Sequence, residues 1–333
     1  MIEAKVAIGP LSSEIIEAVF RYSHYHRTEL MLIASKNQID YSGGYVNNWT
    51  TKEFMEFINQ MKNKYPFSNV KICRDHCGPG FNEKYDLDDV YKTIKSDIEN
   101  KFDLIHIDFC HFKGSKEERF EASKQAIMYC MNLNPSILLE VGTDENIGAR
   151  FGIHNLDALE EEINFFTEFC KPVFYVVQTG SLVREINQVG SLAKDFIIKA
   201  SKILKAKGIK LKEHNADYLT TEELASRKGL IDAVNIAPQL GVVQTSLVLT
   251  KCLVYGIPFK AFLEVVYQGG KWKKWTENNL DKNKFLCSLI AGHYHFTSPE
   301  YKKLIKQLEQ KEDIHEEIIN TIMEVIDHYE NSK

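Results

Sequence analysis

Residues 70–80 read Val-Lys-Ile-Cys-Arg-Asp-His-Cys-Gly-Pro-Gly. A short apolar run that breaks into Asp75-His76 and then a Gly-Pro-Gly turn is the pattern of a strand ending in ionisable residues. The pattern recurs on both sides. Strands are expected at 4–8 (AKVAI), 30–35 (LMLIAS), 70–75 (VKICRD), 104–110 (LIHIDFC), 137–142 (ILLEVG), 174–179 (FYVVQT), 210–215 (KLKEHN) and 233–237 (AVNIA). The segments between them carry helical spacing. Ser12 or Ser13 can cap a helix with Ile15, Ile16, Val19 and Phe20 on one stripe. Thr50 or Thr51 precedes Phe54, Met55, Phe57, Ile58 and Met61, and Asp88 precedes Val90, Tyr91, Ile94 and Ile98. Phe196, Ile197, Ala200 and Ile203 form another stripe, closed by Lys207-Gly208, where glycine tolerates the left-handed cap.

Strands alternating with helices of this length imply parallel βαβ units, and eight of them favour a closed (β/α)8 TIM barrel over an open doubly wound sheet. No GxGxxG fingerprint follows the first strand, which weakens the open sheet further. The glycine patches Ser42-Gly43-Gly44 and Cys77-Gly78-Pro79-Gly80 both follow strands, which in a barrel puts them on the catalytic face. The barrel is expected over 1–258. From 259 to 333 the periodicity is purely helical with no Pro/Gly/Ser-rich linker, so this part reads as a helical extension packed on the barrel, with packing or oligomer contact as its role.

A formal charge of -5 gives no basic footprint for nucleic acid, so an anionic sugar phosphate would need local donors. The seven cysteines include no CxxC pair, which favours reduced thiols over a disulfide framework or a zinc ribbon. No apolar N-terminal run resembles a signal peptide and no stretch is long enough for a membrane span, so the default location is the cytoplasm.

Ionisable and polar residues gather where the strands run out. Asp75-His76 ends the third, Asp108 and His111 the fourth, Glu140 with Asp144 the fifth, Gln178-Thr179-Gly180 the sixth, Glu213-His214-Asn215 the seventh and Asn235 the eighth. In a barrel these converge on one mouth, where such residues read as chemistry more than stability. His106, between Ile105 and Ile107, reads as a hydrogen-bonded core histidine. Histidine nitrogens with carboxylate oxygens suit Zn²⁺ or a similar divalent ion. Such an ion polarises a carbonyl and stabilises an enediolate, as aldol chemistry and ketose epimerisation require.

The runs LMLIASKNQIDYSGGYVNNWTTKEFMEFI (30–58), CRDHCGPG (73–80) and EHNADYLT (213–220), in that order, resemble the non-catalytic subunit family of class II tagatose-bisphosphate aldolase. The likeness spans about 4–300. That family is in turn similar to the zinc-dependent class II fructose- and tagatose-bisphosphate aldolases, which are (β/α)8 barrels. The resemblance implies Asp75 as catalytic acid/base, His76 and His214 as zinc ligands, Glu140 as a carboxylate at the metal, and Ser35 and Asn235 as substrate contacts. From their place at the same mouth, Gln178 is expected to complete the shell, and Asp108, Asp144, Thr179, Gly180 and Asn215 to meet the substrate. One departure stands out. Where those aldolases keep another zinc histidine before a glycine, this chain has Gln178-Thr179-Gly180, and Asn215 replaces a glycine whose backbone approaches a phosphate.

Two expectations follow. One is a metal-dependent aldolase or ketose epimerase acting on a sugar or sugar phosphate, with Zn²⁺ as the expected ion. The other is a non-catalytic partner that stabilises a separate class II aldolase. The expected assembly is accordingly a homo-oligomer or a complex with an aldolase subunit. A ketose-phosphate kinase is also attached to this family by name, but no glycine-rich loop of the P-loop kind is present.

Overall fold

A computed structural model of the protein describes residues 2–143, 155–276 and 283–332. Asp144, an expected substrate contact, lies outside the described residues. Among the described residues ten strands occur in chain order: β1 (Val6–Ile8), β2 (Glu29–Ser35), β3 (Asn69–Cys77), β4 (Leu104–Ile107), β5 (Leu138–Gly142), β6 (Phe174–Val177), β7 (Val183–Arg184), β8 (Asn187–Gln188), β9 (Lys210–Glu213) and β10 (Ala233–Ile236). β7 and β8 form a small antiparallel hairpin, and the other eight close into a parallel barrel in the order β1-β10-β9-β6-β5-β4-β3-β2. This is the (β/α)8 barrel that the alternation implied. Several expected strands end two or three residues early, at Ile107, Val177 and Glu213, so the polar residues beyond them stand in the loops of the mouth.

Local chemistry fixes the helix starts. Ser12 caps α1 (Ser13–His26) by accepting from Ile15 N. Thr50 and Glu53 form a reciprocal capping box on α2 (Thr51–Lys64), as do Ser115 and Glu118 on α4 (Lys116–Leu133). The cap of α3 (Leu87–Glu99) is Asp86, two residues before the expected Asp88. Gly208, at φ +71°, follows α6 (Lys194–Ala206) in the expected place.

Strand alternation sorts side chains into a floor and a polar layer. Ala7, Met31, Ile33, Cys73, Leu104, Phe174 and Ala233 pack together inside the barrel. Above them His106, Glu140, Lys212 and Asn235 are also buried, which is tolerable only if they are paired or serve a ligand. Glu213 points the other way. Its carboxylate takes Arg227 Nε at 2.7 Å and Thr179 Oγ1 at 2.6 Å, tying the loops after β6 and β9 together. Arg74 likewise faces outward and holds Asp97 of α3 through two bonds of 2.6 and 2.7 Å, while its Nη1 donates to Ala34 O and Ile39 O. A bidentate pair whose guanidinium spends both Nη1 donors on backbone carbonyls is the geometry in which a buried ion pair is sustained.

After α7 (Thr221–Arg227) and α8 (Pro238–Val254) come α9 (Lys260–Gly269), α10 (Lys284–Ala291), α11 (Pro299–Leu308) and α12 (Ile314–Asn331). Their apolar faces share one core with α1 and α8. Tyr329 of α12 donates to Ala216 O at 2.8 Å, bracing the loop that carries His214. All seven cysteines are free and buried, and no described helix is long and apolar enough to cross a membrane.

Candidate active site

The deciding feature is a bulge in β3. Arg74 pairs with Ile105 and Cys77 with Ile107, so Asp75 and His76 together oppose the single residue His106. In a regular strand their side chains would take opposite faces. The extra residue, with His76 at φ +45°, lets both reach the mouth. Gly78 completes the turn. A Cβ there would sit 1.6 Å from Asp108 O, so only glycine lets the loops after β3 and β4 meet.

Four donor atoms converge above the floor. His106 Nδ1 lies 3.3 Å from Asp75 Oδ1 and 3.7 Å from Glu140 Oε1, and His214 Nε2 lies 3.4 Å from Glu140 Oε1 and 3.9 Å from Asp75 Oδ1. Asp75, His106, Glu140 and His214 each offer one ligand atom, all within 4.8 Å of one another. Nε2 of His106 is 2.9 Å from Gly142 O, which can only accept, so Nε2 carries a proton, while Nδ1 faces the cluster and lies 3.3 Å from the His76 backbone N–H.

Two features set the charge balance. Lys212 donates to Glu140 Oε2 at 2.7 Å, both groups being fully buried. Burial pushes the Glu140 carboxyl up, but Lys212, then His106 and His214, overcome it and hold it at about 2. Asp75 is likewise raised by burial and drawn well below the ordinary carboxylate range by His76, His214 and His106. Both carboxylates are therefore ionised at neutral pH.

His76 is oriented from behind. Its Nδ1 lies 2.8 Å from Asp108 Oδ2, and its ring stacks on Phe81 at 4.6 Å, leaving Nε2 on the side of Asp75, 3.9 Å from Oδ2. A carboxylate on the far nitrogen is the usual support of a metal-bound imidazole. Asp108 also accepts from Thr143 and from Cys110 N, so its carboxylate is spoken for and supports His76 more than it faces a substrate.

The cluster opens into a cavity of about 680 Å³ bordered by Ser35, Gln38, Asp75, His76, His214 and Asn235. Asn235 is buried, and among the described residues neither its side-chain oxygen nor its nitrogen has a partner. A buried amide left this way is costly unless a ligand meets it. Asn215, at φ +55°, also borders the cavity. Gln178, Thr179 and Gly180 do not border it. Gln178 turns its side-chain oxygen to Gly180 N, Thr179 serves Glu213, and Gly180 at φ +98° packs against Ser191.

Reading the sequence missed three contributors. His106 is the hydrogen-bonded core residue expected, and it also supplies the fourth converging donor. Its inward alternation beside Glu140, its register partner, was the available signal. Lys212 faces inward from β9, in step with His214 two residues on and just past the strand's end. The helical extension, expected only to pack or to make oligomer contacts, also walls the cavity with Lys271, Lys274, Trp275 and His293. Nothing in the helical periodicity of 259–333 announces that.

No protein-family model matches the chain. A solved structure described as a probable tagatose 6 phosphate kinase from Sinorhizobium meliloti 1021 is similar over 99% of this chain and 100% of its own, with TM-score 0.79 and 16% identity. The fructose-bisphosphate aldolase of Campylobacter jejuni is similar over 96% of this chain and 91% of its own, with TM-score 0.59 and 16% identity. The YdjI aldolase of Escherichia coli K12 covers 92% and 90%, with TM-score 0.54 and 12% identity. The chain has an aldolase-like barrel fold. At such identities the likeness concerns the fold, and the chemistry must be argued from the site.

Proposed function

We propose that this protein is a divalent-metal-dependent enzyme of aldolase type, cleaving and forming a carbon–carbon bond, or epimerising a ketose through that step, on a sugar or sugar phosphate. The observation that carries the reading is the convergence of Asp75, His106, Glu140 and His214 at the mouth of the barrel. Their four histidine–carboxylate separations run from 3.3 to 3.9 Å, and all four ligand atoms lie within 4.8 Å of one another. Three of them, His106, Glu140 and His214, would hold a tetrahedral Zn²⁺ and leave its fourth position open, with Asp75 beside it as the group that moves a proton. His76, steadied by Asp108, offers its Nε2 beside them. The ion, when bound, supplies polarisation of a carbonyl oxygen. Asp75 is ionised and borders the cavity, so it is the group to take the proton of a hydroxyl whose loss sends the bonding electron pair toward the carbonyl. Asn235 meets a substrate hydroxyl with its unpartnered amide. The names carried by the fold neighbours, a tagatose 6 phosphate kinase and a fructose-bisphosphate aldolase, support a ketose or its phosphate as the substrate class. A kinase lacks support from the sequence, which has no P-loop.

One observation favours the second reading, a non-catalytic partner of a separate class II aldolase. The Lys212 ammonium already sits on Glu140 and supplies positive charge where an ion would. Metal analysis of the untreated protein, together with His106→Ala and His214→Ala and an assay on ketoses and ketose phosphates, separates the two. The proposal expects about one ion per chain, lost in both variants. Metal-free protein with no turnover would sink it in favour of the partner role.

A further inference from the structure

Resting on the aldolase-type reading, the geometry points to a substrate with a single anionic group, phosphate monoester or carboxylate, held by Lys271 and Lys274 of the helical extension. The part of it that meets Asn235 and Asp217 is neutral and hydroxylated.

The argument begins where an anion is ordinarily expected. In (β/α)8 barrels the loops after the seventh and eighth strands and a nearby helix N-terminus commonly hold a phosphate through backbone N–H groups. Here the corresponding loops follow β9 and β10, and α8 begins at Pro238. That position is taken. The Asp217 side chain, 1% exposed, accepts from Ala237 N at 3.0 Å and Gln239 N at 2.8 Å through Oδ1, and Pro238 between them has no N–H to give. Among the described residues no cation pairs with Asp217. The chain therefore brings its own carboxyl to the donors that would receive a phosphate. A second acidic group there would lose its donors and, whenever Asp217 is ionised, meet like charge. What remains open beside it is the unpartnered amide of Asn235, which suits a hydroxyl.

The wall supplied by the helical extension has the opposite character. Lys271 and Lys274 border the same cavity, and among the described residues neither makes an ion pair. Lys274 Nζ lies 4.9 Å from the centre of the Trp275 ring, which also borders the cavity. His293, 2% exposed, lines this wall with Nδ1 lacking a partner. Burial, then the nearby His295 and Lys274, push its pKa down to about 3, so it meets a ligand as a neutral imidazole. Two unpaired ammonium groups beside a buried, unpartnered imidazole make a receptor for one anion. The chain's net charge of -5 means that the attraction is local.

The test is calorimetric titration of the protein as purified with D-fructose, D-fructose 6-phosphate, D-fructuronate and D-fructose 1,6-bisphosphate, repeated on Lys271→Ala/Lys274→Ala. Both lysines are exposed, so the double variant keeps its core. At least one monoanionic sugar should bind tenfold or more tighter than fructose, and the bisphosphate should gain nothing over the monophosphate. The double variant should bring the monoanion down to the level of fructose measured on that same variant. Whether fructose 6-phosphate or fructuronate shows the lysine-dependent gain identifies the anion. Equal binding of fructose and both monoanions, a preference that survives the double variant, a bisphosphate tenfold tighter than the monophosphate, or no binding of any sugar would each overturn the inference. Titration reads binding and not turnover. A selective but inert protein would therefore sink the catalytic reading and leave this one standing.

Discussion

Replacing Lys212 by Met tests the centre of the site. The Lys212–Glu140 pair is fully buried at 2.7 Å, and Met keeps the volume while removing the charge. Glu140 is then left with His106 Nδ1 at 3.7 Å and His214 Nε2 at 3.4 Å. Breaking one side of a buried pair costs about 3–5 kcal/mol because a desolvated charge is stranded. With roughly 2.1 cal/mol/K of unfolding entropy per residue, a chain of 333 residues should lose about 4–7 °C in Tm at pH 7. The pH dependence carries the sign. In the parent, Glu140 is depressed to about 2 from 4.5, so its stabilisation is present above about pH 4.5 and fades as pH falls toward 2. In the variant, burial dominates and the carboxyl rises above 4.5. The folded state then binds more protons than the unfolded one, and the deficit should shrink on acidification from pH 7 to pH 5. Scanning calorimetry at both pH values, on Lys212→Met with and without Glu140→Gln, measures it. The Gln background should absorb most of the loss. A deficit below about 1 kcal/mol, equal in both backgrounds, would refute the stranded-charge reasoning.

Asp217→Asn probes the plugged helix N-terminus. Burial raises Asp217 from 3.8 to about 7, so the parent should lose stability as pH climbs from about 4 to 7, by up to ~4 kcal/mol at 1.36 kcal/mol per pK unit. The Asn variant should lack that slope in urea titrations, and an identical slope would exclude the assignment. Gly180→Ala combines φ +98° with a Cβ only 2.1 Å from Ser191 O, and should destabilise by about 2 kcal/mol or more. A change below about 0.5 kcal/mol in the denaturation midpoint would show that the loop after β6 can yield.

Alternating apolar runs and helical stripes determined the barrel from sequence alone, because side-chain period is a local property that survives whatever the strands later pack against. The strand ends also exposed Asp75, His76, Glu140 and His214, since a turn-bounded run ending in ionisable groups is visible without coordinates. Three things needed tertiary structure. The β3 bulge that turns both Asp75 and His76 to the mouth depends on register against β4, which no single strand encodes. His106 reads from sequence as a hydrogen-bonded core histidine and Lys212 carries no signal of its own, and only closure of the barrel brings them against Asp75 and Glu140. Gln178 and Thr179 looked like part of the mouth, but the fold directs them to Gly180 and Glu213. The wall proposed to bind an anion lies about two hundred residues from β3 in the sequence, on the helical extension. Only packing of that extension over the mouth puts Lys271, Lys274 and His293 in the cavity with Asp75. Sequence carries what neighbours along the chain dictate; the site is made of residues adjacent only in space.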